Sequence, residues 1–307
     1  MKYVFGHKTP DTDAIVSSVA YAKFLNNTGT EAKAVKLGEI NNETKFVLEK
    51  AGIEEPETIE SLPENSEVVL TDHNEEKQTI SNIKELNIDT IIDHHKFNLQ
   101  TSSPVNIRAE KIGSSCSVLY KIFSEQSYEI SKSEAILLIS GIISDTLYFR
   151  SPTTTKEDKE IVDKLKEISE IQDTEKYSLE MFEAKSDLGD IETEKLVKLD
   201  YKEFEFNKGK YGVGVIETTN PKYSLERKEE IIKEMKNIKE KENLDGIFLS
   251  VVDILEEDNK TIVSDEHDAE IIEKTFNGEK IEDNVYSLGN IVSRKKQIIP
   301  VLEKNLS

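Results

Sequence analysis

The stretch YVFGHKTPDTDAIVSSVAYAKFL, Tyr3 to Leu25, decides how the chain is read. Its first three residues are apolar and stop at Gly6. From Ala14 to Leu25 the apolar residues Ile15, Val19 and Ala22 recur at helical spacing. A short strand therefore leads through a polar loop into a helix. The loop, GHKTPDTD, places His7, Asp11 and Asp13 around Pro10. Two readings fit it. Thr or Asp ahead of an apolar helix is a good N-cap, and acids near a helix start are favoured by its dipole. The same three side chains are also metal-seeking.

Working outward, the strand-then-helix unit repeats. Ala32 to Leu37 predicts a second strand and Thr44 to Ala51 a helix. Val68 to Leu70 predicts a third strand, Ile80 to Leu86 a helix and Thr90 to Ile92 a fourth strand. This order predicts an α/β fold whose N-terminal domain is an open, mainly parallel sheet with helices on both faces. Further helices are expected over Ser115 to Glu125, Ser133 to Ile143, Lys156 to Ile168 and Lys176 to Lys185. The polar run SDLGDIETEK reads as a connection. Beyond it, KEFEFNKGKYGVGVIET predicts a hairpin turning at Asn207 to Gly209. A charged helix over Leu225 to Glu242, strands over Gly246 to Asp253 and Thr261 to Ser264, and weak helical character over Gln297 to Leu306 complete a smaller C-terminal α/β domain. The expected boundaries are 1–187, a linker at 188–195, and 196–307.

Composition narrows the function. The 307 residues carry 61 acidic against 40 basic side chains, a formal net charge of -21. Coating a nucleic acid needs the opposite balance, so no nucleic-acid partner is expected. A small polyanionic substrate stays open, because bound cations or a local basic cluster reverse the sign inside a cleft. Cys116 is the sole cysteine, which leaves no disulfide framework and no thiolate zinc cluster. No apolar run approaches the roughly 20 residues that span a bilayer, and MKYVFGHK lacks the apolar core of a signal peptide. A cytoplasmic protein without a membrane partner is expected.

Four of the five histidines fall in the first 95 residues, and each has an Asp within four positions. They form three clusters, each directly after an apolar strand. YVF runs into GHKTPDTD, VVL into TDHN and TII into DHH. Ligands of open α/β sheets bind beyond the carboxyl ends of parallel strands. Parallel neighbours would bring all three clusters to one edge. Imidazoles with several carboxylates and no thiolate suit Mn, Fe, Co or Zn. Asp145, ending the apolar run ILLISGIISD, is a natural further ligand. Each piece also has an ordinary reading: a helix cap at TPDTD, an Asx turn at DHN, an exposed helix end at Asp145. Near the C-terminus, NIVSRKKQIIP carries Arg294, Lys295 and Lys296, which reads either as a solvated helix start or as an anion clamp.

GHKTPDTD, DHN, DHH, the Asp of IISDT and SRKKQ occur in one order along nearly the whole chain. In this the chain resembles the manganese-dependent (family II) inorganic pyrophosphatases of the DHH phosphoesterase superfamily. The resemblance implies two Mn2+ (or Co2+) ions per subunit. His7 and Asp11 would bind one; Asp13, His94 and Asp145 would bind the other; Asp72 would bridge them. His95 would contact substrate or move a proton. Arg294 and Lys295 would grip pyrophosphate from the second domain, with Lys202 of LDYKEF as a further phosphate lysine. Asn74 and Gln78 match an outer-shell pattern, and His73 and Asp93 are expected to orient ligands. A homodimer through the N-terminal domain is implied too, as is the short form of the family without an inserted nucleotide-binding region.

The implied reaction is hydrolysis of pyrophosphate to two orthophosphates. Two ions about 3.5–4 Å apart share a water and make it a hydroxide nucleophile near neutral pH. Mg2+ arriving with substrate and the cationic side chains would neutralise the phosphates, and closure of the two domains would exclude water. Two alternatives remain open. Another DHH phosphoesterase would act on polyphosphate, short oligonucleotides or adenosine bisphosphate; the GGGH-type motif of the nucleic-acid-directed relatives is absent, the nearest run being GVGV at 212–215. A non-enzymatic metal-binding protein would leave the basic cluster unexplained.

Overall fold

The structure, a computed structural model, describes residues 1–101 and 103–307. It divides into two compact units, Met1–Ala184 and Lys185–Ser307.

The first unit is built on β1 (Lys2–Phe5), α1 (Thr12–Asn27), β2 (Ala32–Lys36), α2 (Asn42–Ala51), β3 (Glu57–Thr58), β4 (Glu67–Thr71), β5 (Asn87–Asp93) and β6 (Asn106–Ala109). All strand pairs are parallel, in the order β3-β2-β1-β4-β5-β6. The chain order reverses between β1 and β4, the crevice where such sheets bind ligands. Register is tight there: Phe5 pairs with Leu70, and Leu70 with Ile91. The three strands therefore end level, and the residues after them emerge side by side.

Strand residues alternate between faces. Phe5, Val68, Leu70 and Ile91 pack in one core with Leu62, Ile80, Ile83 and Leu86. Val4, Val69 and Ile92 point the other way and are fully buried. On that side α1 lies against β1, β2 and β4, and α3 (Ser115–Glu125) against β5. Outside these pack α4 (Lys132–Thr146) and α5 (Lys156–Ser169), and α6 (Thr174–Ser186) follows.

The expected helix over Ile80 to Leu86 is replaced by 3-10 turns at Glu76–Gln78 and Ile83–Glu85. The reason is the spacing. Ile80, Ile83 and Leu86 recur every three residues, the repeat of a 3-10 turn, and all three are buried on the sheet. This face of the sheet is thus covered by short turns rather than by a long helix. The strands β3 and β6 were not expected.

The second unit holds α7 (Thr193–Val197), β7 (Tyr201–Phe206), β8 (Gly209–Thr218), α8 (Pro221–Glu226), α9 (Lys228–Lys241), β9 (Gly246–Asp253), β10 (Asp258–Val263), α10 (Glu266–Phe276), β11 (Glu279–Glu282), β12 (Val285–Gly289) and α11 (Ile299–Leu306). Its sheet runs β11-β12-β10-β9-β8-β7 and is antiparallel except for β8 with β9. One face packs on α10 and α11 through Val213, Phe248, Ile271 and Leu302. The other packs on α7 and α9 through Ile216, Leu249, Leu196 and Met235.

The expected linker, 188–195, lies within this unit: Leu188 and Ile191 pack against its core and Thr193 starts α7. The single helix expected over Leu225 to Glu242 is two, interrupted at Arg227, whose guanidinium bonds the Tyr223 hydroxyl and the Thr193 hydroxyl. No helix among the described residues is long and apolar enough to cross a membrane.

Candidate metal centre

The chain leaves β1 at Gly6 and turns at once into α1. A side chain at Gly6 would lie 2.5 Å from the Ala14 carbonyl oxygen, so only glycine lets the loop close on the helix start. The helix begins earlier than its apolar pattern, and the cap is Asp11, whose Oδ1 accepts from the Ala14 N–H at 2.9 Å. Capping fixes this side chain with Oδ2 3.4 Å from His7 Nε2. The capping and metal readings of GHKTPDTD are therefore compatible. Asp13 falls inside the first turn of α1 and is fully buried.

Asp72 follows β4 in the left-handed region, φ +59°, a conformation that Asp tolerates better than most residues. Its N–H stays on the sheet, donating to the Ile92 carbonyl at 2.9 Å, while the carboxylate turns into the loops. Oδ1 lies 3.3 Å from His94 Nε2 and accepts from Ser115 Oγ at 3.0 Å; Oδ2 lies 3.5 Å from His7 Nε2. His94 Nε2 is also 3.2 Å from Asp145 Oδ2. The ring of His94 is oriented by its other nitrogen, which donates to the Ile112 carbonyl at 3.0 Å. That bond selects the tautomer whose Nε2 lone pair faces the acids.

The expected ligands thus converge. His7, Asp11 and Asp72 form one group whose ligand atoms lie within 4.8 Å of one another. Asp13, Asp72, His94 and Asp145 form a second, and Asp72 belongs to both. His95 joins Asp72 and His94 in a third such group. Its Nδ1 lies 2.8 Å from Asp93 Oδ1, and Asp93 also accepts from the backbone N–H of His94 and His95 and from Asn74 Nδ2. Asp93 therefore sets the ring of His95. His73 differs from expectation. Its Nδ1 bonds the Thr71 carbonyl, its ring stands perpendicular to that of His7, and its Nε2 has no hydrogen-bond partner among the described residues. Gln78 accepts the Lys8 N–H at its backbone carbonyl.

Crowding this much charge has a cost that the carboxyls register. Burial first, and then the charge of Asp72, pushes Asp13 up to about 7. Burial and the charge of Asp13 hold Asp145 well above the usual carboxylate range. Burial pushes Asp72 the same way, but His7, His94 and His95 outweigh it and hold that carboxyl well below the range. Burial brings His73 down to about 4, so its ring is neutral.

Sequence reasoning missed the group that anchors Asp13. Its Oδ1 accepts from Ser114 Oγ at 2.7 Å and from the Cys116 N–H at 3.2 Å, and its Oδ2 from the Ser115 N–H at 2.7 Å. These donors are the start of α3, where free N–H groups and the dipole favour an anion. The signal available was GSSCS ahead of an apolar helix, a capping pattern.

In the second unit, Arg294 opens a single π-helical turn, Arg294–Ile298, that leads into α11. Its guanidinium donates to the Asp200 carbonyl and carboxylate, both at 2.6 Å. Asp200 had no sequence signal; it lies two residues ahead of Lys202, which is half-buried on β7. Lys295 is exposed.

Comparison with known proteins agrees with this geometry. The DHH family N-terminal domain matches residues 2–142 and the DHHA2 domain matches residues 179–305. A probable manganese-dependent inorganic pyrophosphatase of Deinococcus radiodurans is 44% identical over 99% of this chain and 98% of its own length. The manganese-dependent inorganic pyrophosphatase of Methanocaldococcus jannaschii is 39% identical over 99% of each chain. A crystal structure from Methanococcus jannaschii, assigned as a family II inorganic pyrophosphatase, superposes with a TM-score of 0.88 at 38% identity, covering 100% of this chain and 99% of that one.

Proposed function

The chain belongs to the family of manganese-dependent inorganic pyrophosphatases, and on that premise we propose that it hydrolyses inorganic pyrophosphate to two orthophosphates at the His/Asp cluster of its first unit. The observation that carries the reading is Asp72, one carboxylate common to two ligand groups, as a two-ion phosphate-cleaving centre requires.

The residues fit manganese. The donors are imidazole nitrogens and carboxylate oxygens without thiolate. Asp72 Oδ2 is buried with no hydrogen-bond partner among the described residues. The charges of Asp13, Asp72 and Asp145 oppose one another's ionisation. A cation relieves both conditions. His7, Asp11 and Asp72 would hold one ion, and Asp13, Asp72, His94 and Asp145 the second. Bound Mn2+ (or Co2+) supplies Lewis-acid charge and lowers the pKa of water.

The chain's own residues contribute the rest. His94 is held with a lone pair toward the acids by the Ile112 carbonyl. His95, whose Nδ1 is set by Asp93, is the residue proposed to meet a phosphate oxygen or move a proton. Arg294, Lys295 and Lys202 are the cations proposed for the phosphate oxygens, with Mg2+ entering on the substrate. The first unit is read as the metal-binding domain and the second as the substrate-clamping domain. A homodimer through the first domain, and the cytoplasm as compartment, belong to the same proposal. They rest on the family resemblance and, for the compartment, on a lone buried cysteine.

Phosphate release from pyrophosphate, tripolyphosphate, long polyphosphate and a dinucleotide, each with Mn2+, tests the substrate. Pyrophosphate is expected to be preferred; faster turnover of any of the others would overturn the reading.

A further inference from the structure

Glu43 is a buried acid outside the cluster that touches two of the helices building it. It lies in the first turn of α2 and is completely buried. Its Oε2 accepts from Thr12 Oγ1 and from Ser144 Oγ, each at 2.7 Å. Thr12 stands between Asp11 and Asp13 at the start of α1, and Ser144 directly precedes Asp145 near the end of α4. Thr12 Oγ1 is also 3.0 Å from Thr44 Oγ1 of α2. One oxygen thus ties together the two chain segments that carry three acids of the cluster.

The helices so joined are close. Gly141, Ser144 and Asp145 share a face of α4, at i, i+3 and i+4. A side chain at Gly141 would lie 2.6 Å from Asp13 Oδ1 and 2.5 Å from Cys116 Sγ. At that separation a small slide or rotation of α4 against α1 alters the distance between Asp13 and Asp145. Apolar packing is weak at resisting such a slide, because it has no preferred direction. Two short bonds from hydroxyls to the Glu43 carboxyl do have one. Burying a carboxyl group is costly without such partners, and filling space between helices does not call for a polar group.

We propose that Glu43 is a positioning residue for the metal centre: through Thr12 and Ser144 it fixes the spacing of Asp13 and Asp145, and so the affinity for the ion they hold. The inference rests on the metal reading above, and its test reads metal uptake directly. Mn2+ binding to the full chain is measured by calorimetric titration for the parent and for Ser144→Ala, Glu43→Ala and Glu43→Gln, with the metal-free melting temperature recorded for each. Loss of an outer-shell partner of a metal ligand typically weakens binding about 10–100-fold. Ser144→Ala, which removes one bond, is expected to weaken one Mn2+ site by about tenfold, and Glu43→Ala by more. Glu43→Gln keeps an acceptor oxygen and is expected to recover most of the affinity. A purely structural role would lower the melting temperature and leave Mn2+ affinity alone. Should Ser144→Ala bind Mn2+ within about twofold of the parent, the inference is overturned, and that variant decides the matter even where Glu43→Ala does not fold. A parent that takes up no Mn2+ would overturn the metal reading itself, and this inference with it.

Discussion

The cluster beyond the ends of β1, β4 and β5 gathers like charges from a loop and two helices, whereas the turn ahead of α11 holds unlike ones. In the first unit Asp13, Asp72 and Asp145 are forced to within a few ångströms, and two of them respond by resisting ionisation. In the second, Arg294 closes on Asp200 and is satisfied. The first arrangement is incomplete without a cation. The second is complete in itself. On the proposed function the difference matches the tasks: the strained acids would keep an ion, and Arg294 would exchange Asp200 for a phosphate.

Three experiments press on that contrast. The largest effect is expected at the shared acid. Removing a single donor from a preorganised electrostatic site costs about 10²–10³ in rate, and on the proposed function Asp72 would serve two ion sites at once. Asp72→Ala is therefore expected to lose at least about 10³-fold in pyrophosphate turnover. It should also lose Mn2+ uptake in a titration; retained stoichiometric uptake would break the shared-ligand assignment.

Arg294→Ala is expected to act on the other side of the comparison. A hydrogen bond to a charged group contributes about 1.5–3 kcal/mol, so kcat/KM should fall about 10–100-fold. Mn2+ affinity should not move. A variant that loses its metal would show that Arg294 does not belong to a substrate clamp.

The smallest effect concerns stability. Asp13 is raised to about 7 and Asp145 is raised as well. A carboxyl raised in the folded state contributes stability that is full below its unfolded value near 3.8 and is lost as pH rises through the folded value. Asp72, held low, does the opposite, but only below that value, so it is constant from pH 5 to 8. His73, brought down to about 4, works the other way and adds stability as pH rises toward the ordinary histidine value of 6.5, offsetting part of the loss from the two raised carboxyls. The metal-free protein should on balance melt lower at pH 8 than at pH 5. Saturating Mn2+ should remove the difference, and Asp13→Asn should flatten the metal-free slope. A metal-free melting temperature that rises over this range would contradict the strained-acid picture.

The same contrast explains what could be read in advance. The strands carrying the ligands are short apolar runs ending in His or Asp, a local pattern, and their level ends follow from parallel pairing. The supports are not local. Ser114 reaches Asp13 across 101 residues, and Arg294 reaches Asp200 across 94. No window of sequence contains both partners. The strand β3 has only two residues, both exposed, and β6 is an edge strand with little burial, so neither has a pattern to find. The helix α10 is a different case. Asp265 caps it and Ala269, Ile272 and Phe276 recur on one face, an ordinary helical signal that stood outside the expected elements.

Asp13 is fastened to the start of α3 by a hydroxyl and two backbone N–H groups that belong to the protein alone. Its geometry is therefore established when the chain folds, not when an ion arrives. On the proposed function, an ion would meet an acid already aimed by the fold rather than one it has to order.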